Sequence, residues 1–138
     1  MRQRLQANLE RSVWPIRVRG IRGAVAVKKN TATDIIAATK ELLLVMVKEN
    51  AVDIEEIASI FFTLTPDLDA EFPALAAREE LGWRDVPLLC AREIGVPGAM
   101  TGVVRVLMHV NTEKSQRELK HVYLGKAAAL RADLGEES

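Results

Sequence analysis

Two arginines lie in segments that otherwise have the composition of apolar strands. Arg105 interrupts the apolar run Val103–Met108, and a fully buried arginine is rare unless an anion pairs with it. By the two-residue period of a strand, Arg22 shares the apolar face of Ala24, beside glycines that allow another group close to the backbone. Arg22 is therefore an anion-binding residue or a strand-end side chain that reaches water. Arg105 either forms an internal ion pair, with Glu93 as the obvious partner, or binds an oxygen of a ligand.

Cys90 and Glu93 follow a predicted buried strand and precede the loop Gly95–Gly98, and strand ends that open into such loops often hold functional sites. A single cysteine is more often a small buried hydrophobe than a nucleophile. Neither His109 nor His121 has a spacing that would place it beside the thiol, which argues against a cysteine hydrolase. The chain also lacks a tight cluster of histidine, cysteine and carboxylate residues, so we predict no metal site.

Taken together, the polar candidates are four arginines, one carboxylate and one phenol. They include no convincing nucleophile or acid–base pair. Such a set suits a small ligand with two negative charges. It also suits a reaction that needs charge stabilisation and positioning rather than proton transfer. The members of the set are Arg22, Arg78, Arg105, Arg131, Glu93 and Tyr123.

The elements that must position these residues follow from hydrophobic periodicity and from turn residues. Strands are predicted over 16–27, 57–65, 86–90 and 103–110, a long helix over 34–50, a helical turn at 65–67 and a short helix over 73–81. The segment 121–130 is a fifth strand or partly helical, because its alanines leave both open. The result is an α+β domain with one sheet and one long helix. A single helix covers one face of a sheet, so we expect the other face to be buried by oligomerisation.

Composition limits the class of protein. The chain has 138 residues, enough for one domain, and its 19 basic and 19 acidic residues give a net charge of zero. This balance argues against a protein that coats nucleic acid or an acidic membrane. The longest apolar run, Leu42–Val47, is far shorter than the roughly 20 residues that span a bilayer. We expect a cytoplasmic domain over 16–134, with a disordered extension over 1–15 and a frayed tail over 135–138.

Several short motifs occur in order along the chain. They are Arg19–Ala24, Thr65–Leu68, Phe72–Ala74, Val86-Pro87, Cys90, Glu93, Arg105-Val106 and His121–Leu124. Together they resemble the AroH-type chorismate mutases from about Ile16 to Leu134. The resemblance implies a homotrimer whose mixed sheets, each packed on one long helix, pool into a pseudo-α/β-barrel with active sites between subunits. It also implies rearrangement of chorismate to prephenate without a metal, a cofactor or a covalent intermediate.

The resemblance also implies roles for individual residues. Arg105 corresponds to the arginine that donates to the breaking ether oxygen, and Arg22 to the one that holds a substrate carboxylate. Glu93 and the Cys90 backbone correspond to the groups that receive the ring hydroxyl, and Tyr123 to a contact on the pyruvyl side. The remaining substrate-binding positions are Phe72, Ala74, Leu88, Leu89, Ala91, Arg92 and Leu130, with Arg78 and Arg131 attracting the dianion.

Three positions depart from the family pattern. Leu75 and Leu89 stand where some members carry polar residues, and Ala132 replaces a proline common after the tail arginine. Two other functions remain open: a trimeric enamine/imine deaminase of similar architecture, and a non-catalytic carboxylate-binding protein.

Overall fold

A computed structural model of the chain describes residues 15–133, and the side chains of residues 15–130. The strands are β1 (Arg17–Ala26), β2 (Ile57–Leu64), β3 (Leu88–Arg92), β4 (Val103–Thr112) and β5 (Val122–Leu124). The α-helices are α1 (Ala32–Glu49) and α2 (Ala128–Asp133). Short 3₁₀ turns cover Ile54–Glu56, Gln116–Glu118 and Gly125–Ala127, and a π-helical turn covers Ala76–Glu80.

The long helix α1 begins after a threonine cap. The Thr31 hydroxyl accepts the Asp34 backbone N–H at 3.1 Å, which satisfies one of the free donors of the first turn. Asp34 near the start and Lys48 near the end match the charges of the helix dipole. The buried face consists of Ile35, Thr39, Leu42, Leu43 and Met46.

The strands form one mixed sheet in the order β3-β2-β4-β1-β5. The central strand β4 is antiparallel to both β1 and β2, whereas the outer strands β3 and β5 run parallel to β2 and β1. Helix α1 packs closely on one face of the sheet because Gly23 has no side chain, and a Cβ at this position would overlap the Met46 sulfur. The predicted α+β architecture, with a mixed sheet on one long helix, is confirmed.

The other face of the sheet, called the open face below, leaves large apolar side chains in solvent. Val18 is 57% exposed, Phe61 45%, Leu89 59% and Leu107 37%. Arg22 lies on this open face and not on the face packed against α1, since its neighbours Ile21 and Gly23 are the buried residues. The prediction that the single long helix covers only one face of the sheet is confirmed, and burial of the open face by oligomerisation stays a prediction.

Three local predictions are refined by the structure. The short helix predicted over 73–81 is present over 74–80, where Ala76–Glu80 has π-helical geometry. The helical turn predicted at 65–67 is a single hydrogen-bonded turn, with Leu68 N–H donating to Thr65 O. The ambiguous segment 121–130 contains both β5 and the start of α2. Within the described range, no helix is long and apolar enough to cross a membrane. Residues 1–14 of the predicted extension, the predicted tail and the Arg131 side chain lie outside the described parts.

Candidate active site

Strand register places five residues in one row across the sheet. From β5 to β3 the row reads Tyr123, Ala24, Arg105, Thr63 and Ala91, each paired with the next on the neighbouring strand. Paired positions in a sheet point to the same face, so the Arg105 and Tyr123 side chains share the open face with only the small Ala24 between them. Ala24 is itself buried, packed with Val103 and Ala127 and against Tyr123 and Leu130, so Arg105 and Tyr123 lie on either side of a covered alanine.

Arg105 is anchored by an ion pair with Glu93. Its Nε donates to Glu93 Oε2 at 2.9 Å, and the Thr63 hydroxyl donates to the same oxygen at 2.7 Å. The Glu93 backbone N–H donates to Leu64 O at 2.9 Å, which fixes the residue at the end of β3. The predicted Arg105–Glu93 pair is therefore present.

The burial expected for Arg105 is wrong. Its side chain is 41% exposed, whereas that of Glu93 is 16% exposed. The apolar run around Arg105 suggested full burial, but Val104, Val106 and Met108 face α1 and Arg105 lies on the alternate, open side. A pair this exposed contributes little to stability, since water screens it.

This pairing leaves hydrogen-bonding groups free on both partners. A guanidinium has five N–H donors, and Glu93 takes the one on Nε, so among the described side chains both terminal nitrogens of Arg105 remain unbonded. Within residues 15–130, Glu93 Oε1 has no hydrogen-bond partner. The site therefore presents a cationic donor and an anionic acceptor side by side.

Arg22 supplies a second cation on the open face. It pairs with Leu107, two positions along β4 from Arg105, and such diagonal neighbours have Cβ atoms about 7 Å apart. Its backbone N–H donates to His121 Nδ1 at 2.9 Å, which ties β1 to the segment that enters β5. The Arg22 side chain is exposed and forms no ion pair within the described residues. It is therefore available to an anion.

Cys90 has its side chain and its backbone in different surroundings. It pairs with the buried Phe62, so the thiol lies on the α1 side of the sheet and not beside Arg105. Burial raises the pKa of the Cys90 thiol, although the Ala74 backbone N–H and the charge of Arg78 act in the opposite direction. A protonated thiol is a poor nucleophile, which agrees with the exclusion of a cysteine hydrolase.

The Cys90 backbone points toward solvent at the free edge of the sheet. Ile60 N–H donates to Pro87 O and Glu93 N–H donates to Leu64 O. In a parallel pair, alternate residues of a strand bond to the same neighbour, so residues 87, 89, 91 and 93 bond to β2. The N–H and C=O of Cys90 therefore face away from β2, where a ligand hydroxyl can reach them.

The sequence-predicted residues fall into two groups on one chain. The open-face group comprises Arg22, Leu89, Ala91, Glu93, Arg105 and Tyr123. The edge group lies along the free side of β3 and comprises Phe72, Ala74, Arg78, Cys90 and Arg92. Leu88 packs into the core on the α1 side of the sheet, and Leu130 packs against Ala24 and Val103 on the open face.

The edge group forms a groove. Phe72, which is 66% exposed, lines it together with Cys90, Ala91 and Arg92. Arg78 lies nearby and pairs with Glu79 at 3.3 Å, so its guanidinium is held at the surface. In the described chain, no group of three or more histidine, cysteine or carboxylate residues could hold a metal ion.

Comparisons with known proteins agree with this geometry. The sequence matches the family "Chorismate mutase type I" over residues 18–134. The chain belongs to this family. A curated relative, "Chorismate mutase AroH" of Thermus thermophilus, is 50% identical over 118 residues, which is 85% of this chain and 96% of the relative. Another with the same name, from Bacillus subtilis (strain 168), is 43% identical over 117 residues, or 85% of this chain and 92% of the relative.

A solved structure of a similar chain supports the fold. The structure, a chorismate mutase from Clostridium thermocellum, is 49% identical, with a TM-score of 0.79 over 80% of this chain and 98% of that one. The family resemblance predicted from the sequence motifs is therefore confirmed.

One residue of the site was missed by sequence analysis. Thr63 is a polar residue in the apolar strand Ile57–Leu64, and its alternation with Phe62 and Leu64 could have marked it as facing away from the core. Its contact with Glu93 depends on the pairing of β2 with β3 and β4, which short sequence motifs do not specify.

Proposed function

We propose that this chain, a chorismate mutase of the isomerase class by its family, acts at the Arg105–Glu93 pair within a cleft shared between subunits of a homotrimer. The reaction is the intramolecular rearrangement of chorismate to prephenate, in the biosynthesis of aromatic amino acids. The ether C–O bond breaks while a new C–C bond forms, and no atom is gained or lost. The observation that carries the proposal is the Arg105–Glu93 pair with its free donors and free acceptor.

Arg105 stabilises the charge that develops during this rearrangement. As the C–O bond breaks, negative charge grows on the ether oxygen of the enolpyruvyl fragment. A preorganised guanidinium donor stabilises that charge more in the transition state than in the ground state, which is the condition for acceleration. Glu93 holds Arg105 through Nε, so its terminal nitrogens are directed by a fixed partner.

Glu93 and Cys90 orient the ring end of the substrate. In this proposal, Glu93 Oε1 and the outward Cys90 backbone groups receive the ring hydroxyl. Arg22 binds one carboxylate of the dianion, and Tyr123 contacts the pyruvyl side. These contacts hold the reacting carbons close together, and such restriction supplies a large share of the barrier reduction. An acceleration of roughly 10⁶ needs only about 8 kcal/mol, within reach of such contacts.

The separation of the two groups of residues supports a shared site. On one chain, Arg105 and Glu93 lie on the open face, whereas Phe72 and Arg78 lie along the free edge of β3. The open face also exposes Val18, Phe61 and Leu107, and a soluble protein normally covers such a patch. Packing of three copies through this face covers the patch and sets the edge group of one subunit against the open-face group of its neighbour.

The assembly is tested by placing a charge on the open face. Leu107→Glu should give a monomer by size-exclusion chromatography with light scattering, and should lose activity with it. Leu44→Glu is the matched control, because Leu44 is 44% exposed on α1 and away from the open face. A wild-type chain that is monomeric and fully active would contradict the shared site.

The function is tested with purified protein and chorismate. Loss of substrate is followed with time, and prephenate is confirmed by its acid conversion to phenylpyruvate. Arg105→Ala should lower kcat by more than the roughly 10²–10³-fold expected for loss of one neutral donor, whereas the exposed Arg17→Ala should not. Near-normal turnover by Arg105→Ala would contradict the role of Arg105.

The same assay separates the two other functions. Ammonia release from a reactive enamine would indicate the deaminase, and binding of chorismate without conversion would indicate the carboxylate-binding protein. We propose a cytoplasmic location because the one cysteine of the sequence, Cys90, cannot form an internal disulfide.

A further inference from the structure

We infer that Thr63 is a positioning residue of this site: its hydroxyl holds the Glu93 carboxylate in the orientation that keeps Arg105 and Glu93 available to the substrate. This inference rests on the proposed role of Glu93. The Thr63 hydroxyl donates to Glu93 Oε2 at 2.7 Å, a length typical of a hydrogen bond to a charged acceptor.

The strand register places Thr63 for this contact. Thr63 pairs with Arg105 on one side and with Ala91 on the other, so all three lie in the row across the open face. Glu93 follows two residues after Ala91, and its backbone N–H is bonded to Leu64. The backbone of Glu93 is therefore bonded to Leu64, while its side chain extends back over the open face to the preceding residue, Thr63.

A second donor on Oε2 restricts the carboxylate. Held by Arg105 Nε alone, the carboxylate could rotate about that contact and accept a second N–H from the guanidinium, because arginine and carboxylate groups favour two parallel hydrogen bonds. That arrangement would occupy a terminal nitrogen of Arg105 and Glu93 Oε1 together. With Thr63 on the same oxygen, Oε2 accepts both donors and Oε1 remains unbonded within the described side chains.

The hydroxyl of Thr63 is not needed for the strand itself. Strand β2 reads Ile57–Leu64 and is otherwise mostly apolar, and valine has the shape and the strand preference of threonine. Thr63 is half-buried on the open face, so a methyl group in place of the hydroxyl meets no dense core. Thr63→Val should therefore fold normally and lose only the contact with Glu93.

The test is a double-mutant cycle with the chorismate assay. Thr63→Val should lower kcat about tenfold, the effect of one hydrogen bond to a charged group, with a smaller change in KM. Thr63→Ser, which keeps the hydroxyl, should restore most of the activity. In a Glu93→Ala background, Thr63→Val should have no further effect on kcat, because Thr63 then has no carboxylate to hold.

The outcomes separate this inference from the proposed function. An equal loss of kcat from Thr63→Val in both backgrounds, or wild-type kcat in Thr63→Val, overturns the role of Thr63 and leaves that of Glu93 intact. Unchanged activity in Glu93→Ala overturns the role of Glu93, and Thr63 as its positioning residue with it. Thermal unfolding of each variant shows whether the variant is folded. Only a fall in kcat measured on folded protein supports the role of Thr63.

Discussion

Arg105 reaches Glu93 through Nε and not through its terminal nitrogens, at a distance of 2.9 Å. This choice of nitrogen matters because Nε lies at the base of the guanidinium and the terminal nitrogens at its tip. An anchor at the base fixes the direction of the tip while leaving the tip donors free. In the proposed mechanism the ion pair therefore orients Arg105 toward the substrate, and its half-exposed position indicates that it adds little to stability.

Arg105→Lys should be a severe change although it keeps the charge. Lysine has one ammonium group and cannot pair with Glu93 while presenting two further nitrogens in a fixed plane. We expect kcat to fall about 10²-fold or more, comparable to loss of a preorganised donor. The steady-state assay with chorismate checks this, with the exposed Arg17→Lys as control. A kcat within a few fold of wild type would show that charge alone suffices.

Glu93→Gln separates a catalytic role from a structural one. The substitution keeps the shape of the side chain and removes its charge, so Arg105 loses its anionic partner. Because the Arg105 side chain is 41% exposed, we expect a change in stability below about 1 kcal/mol and a clear loss of kcat. Urea unfolding and the chorismate assay measure the two effects. Strong destabilisation with retained turnover would instead support a scaffold role for the pair.

The order and approximate bounds of the main elements could be predicted from the sequence, because long periodic segments such as α1 and β4 carry a strong signal. The face of β1 that meets α1 could not be predicted. Both faces of that strand contain apolar residues, and the deciding feature is the absence of a side chain at Gly23, where Met46 packs. The short strand β5 and the helical turn that follows it could not be separated either, since three strand residues give no period.

The site was predicted to the extent that it depends on residue chemistry. An arginine in an apolar run needs an anion, and Glu93, at the end of the preceding predicted strand, was the obvious candidate, so the pair follows from electrostatics. Full burial of Arg105 was wrong because alternation put it on the uncovered face. The outward position of Thr63 could be predicted from its alternation with Phe62 and Leu64, but its contact with Glu93 could not, because that contact arises from pairing between strands that are distant in sequence.

Asn50 joins α1 to the segment that carries Tyr123. Its Nδ2 donates to Met46 O and to Lys120 O, both at 2.9 Å, and its Oδ1 accepts the Lys120 N–H at 2.8 Å. The side chain is buried, so Asn50→Ala would leave these backbone groups without partners. We expect a loss of about 2–4 kcal/mol in the free energy of unfolding, from two or three such groups.

Urea unfolding measures this loss, and Asn30→Ala is the matched control. Asn30 also forms three hydrogen bonds, to Asp69 and Ala70, but it is exposed and water can replace them. A loss from Asn30→Ala that equals the loss from Asn50→Ala would contradict the importance of burial.

Ala51 has a positive φ of 51°, a conformation that residues other than glycine rarely adopt. Ala51→Gly should remove this strain and raise the free energy of unfolding by up to about 1 kcal/mol, offset in part by the greater freedom of glycine in the unfolded chain. The control is Ala37→Gly on the exposed side of α1, which should destabilise by about 1 kcal/mol. Opposite signs in urea unfolding support the assignment, and destabilisation by both contradicts it.

Cys90 should contribute its backbone and not its thiol to catalysis. Burial raises the pKa of the thiol, so less thiolate is present near pH 8 than for a free cysteine. Alkylation by iodoacetamide should therefore be slower than in the unfolded chain, and its rate should increase as the pH rises above 9. Cys90→Ala keeps the outward backbone N–H and C=O, so kcat should stay within about threefold of wild type. Loss of one transition-state hydrogen bond would lower kcat by more than this. Rates of alkylation between pH 7 and 10 and steady-state kinetics of Cys90→Ala measure both effects. Fast alkylation at pH 7 together with an inactive but folded Cys90→Ala would show that the thiol itself takes part.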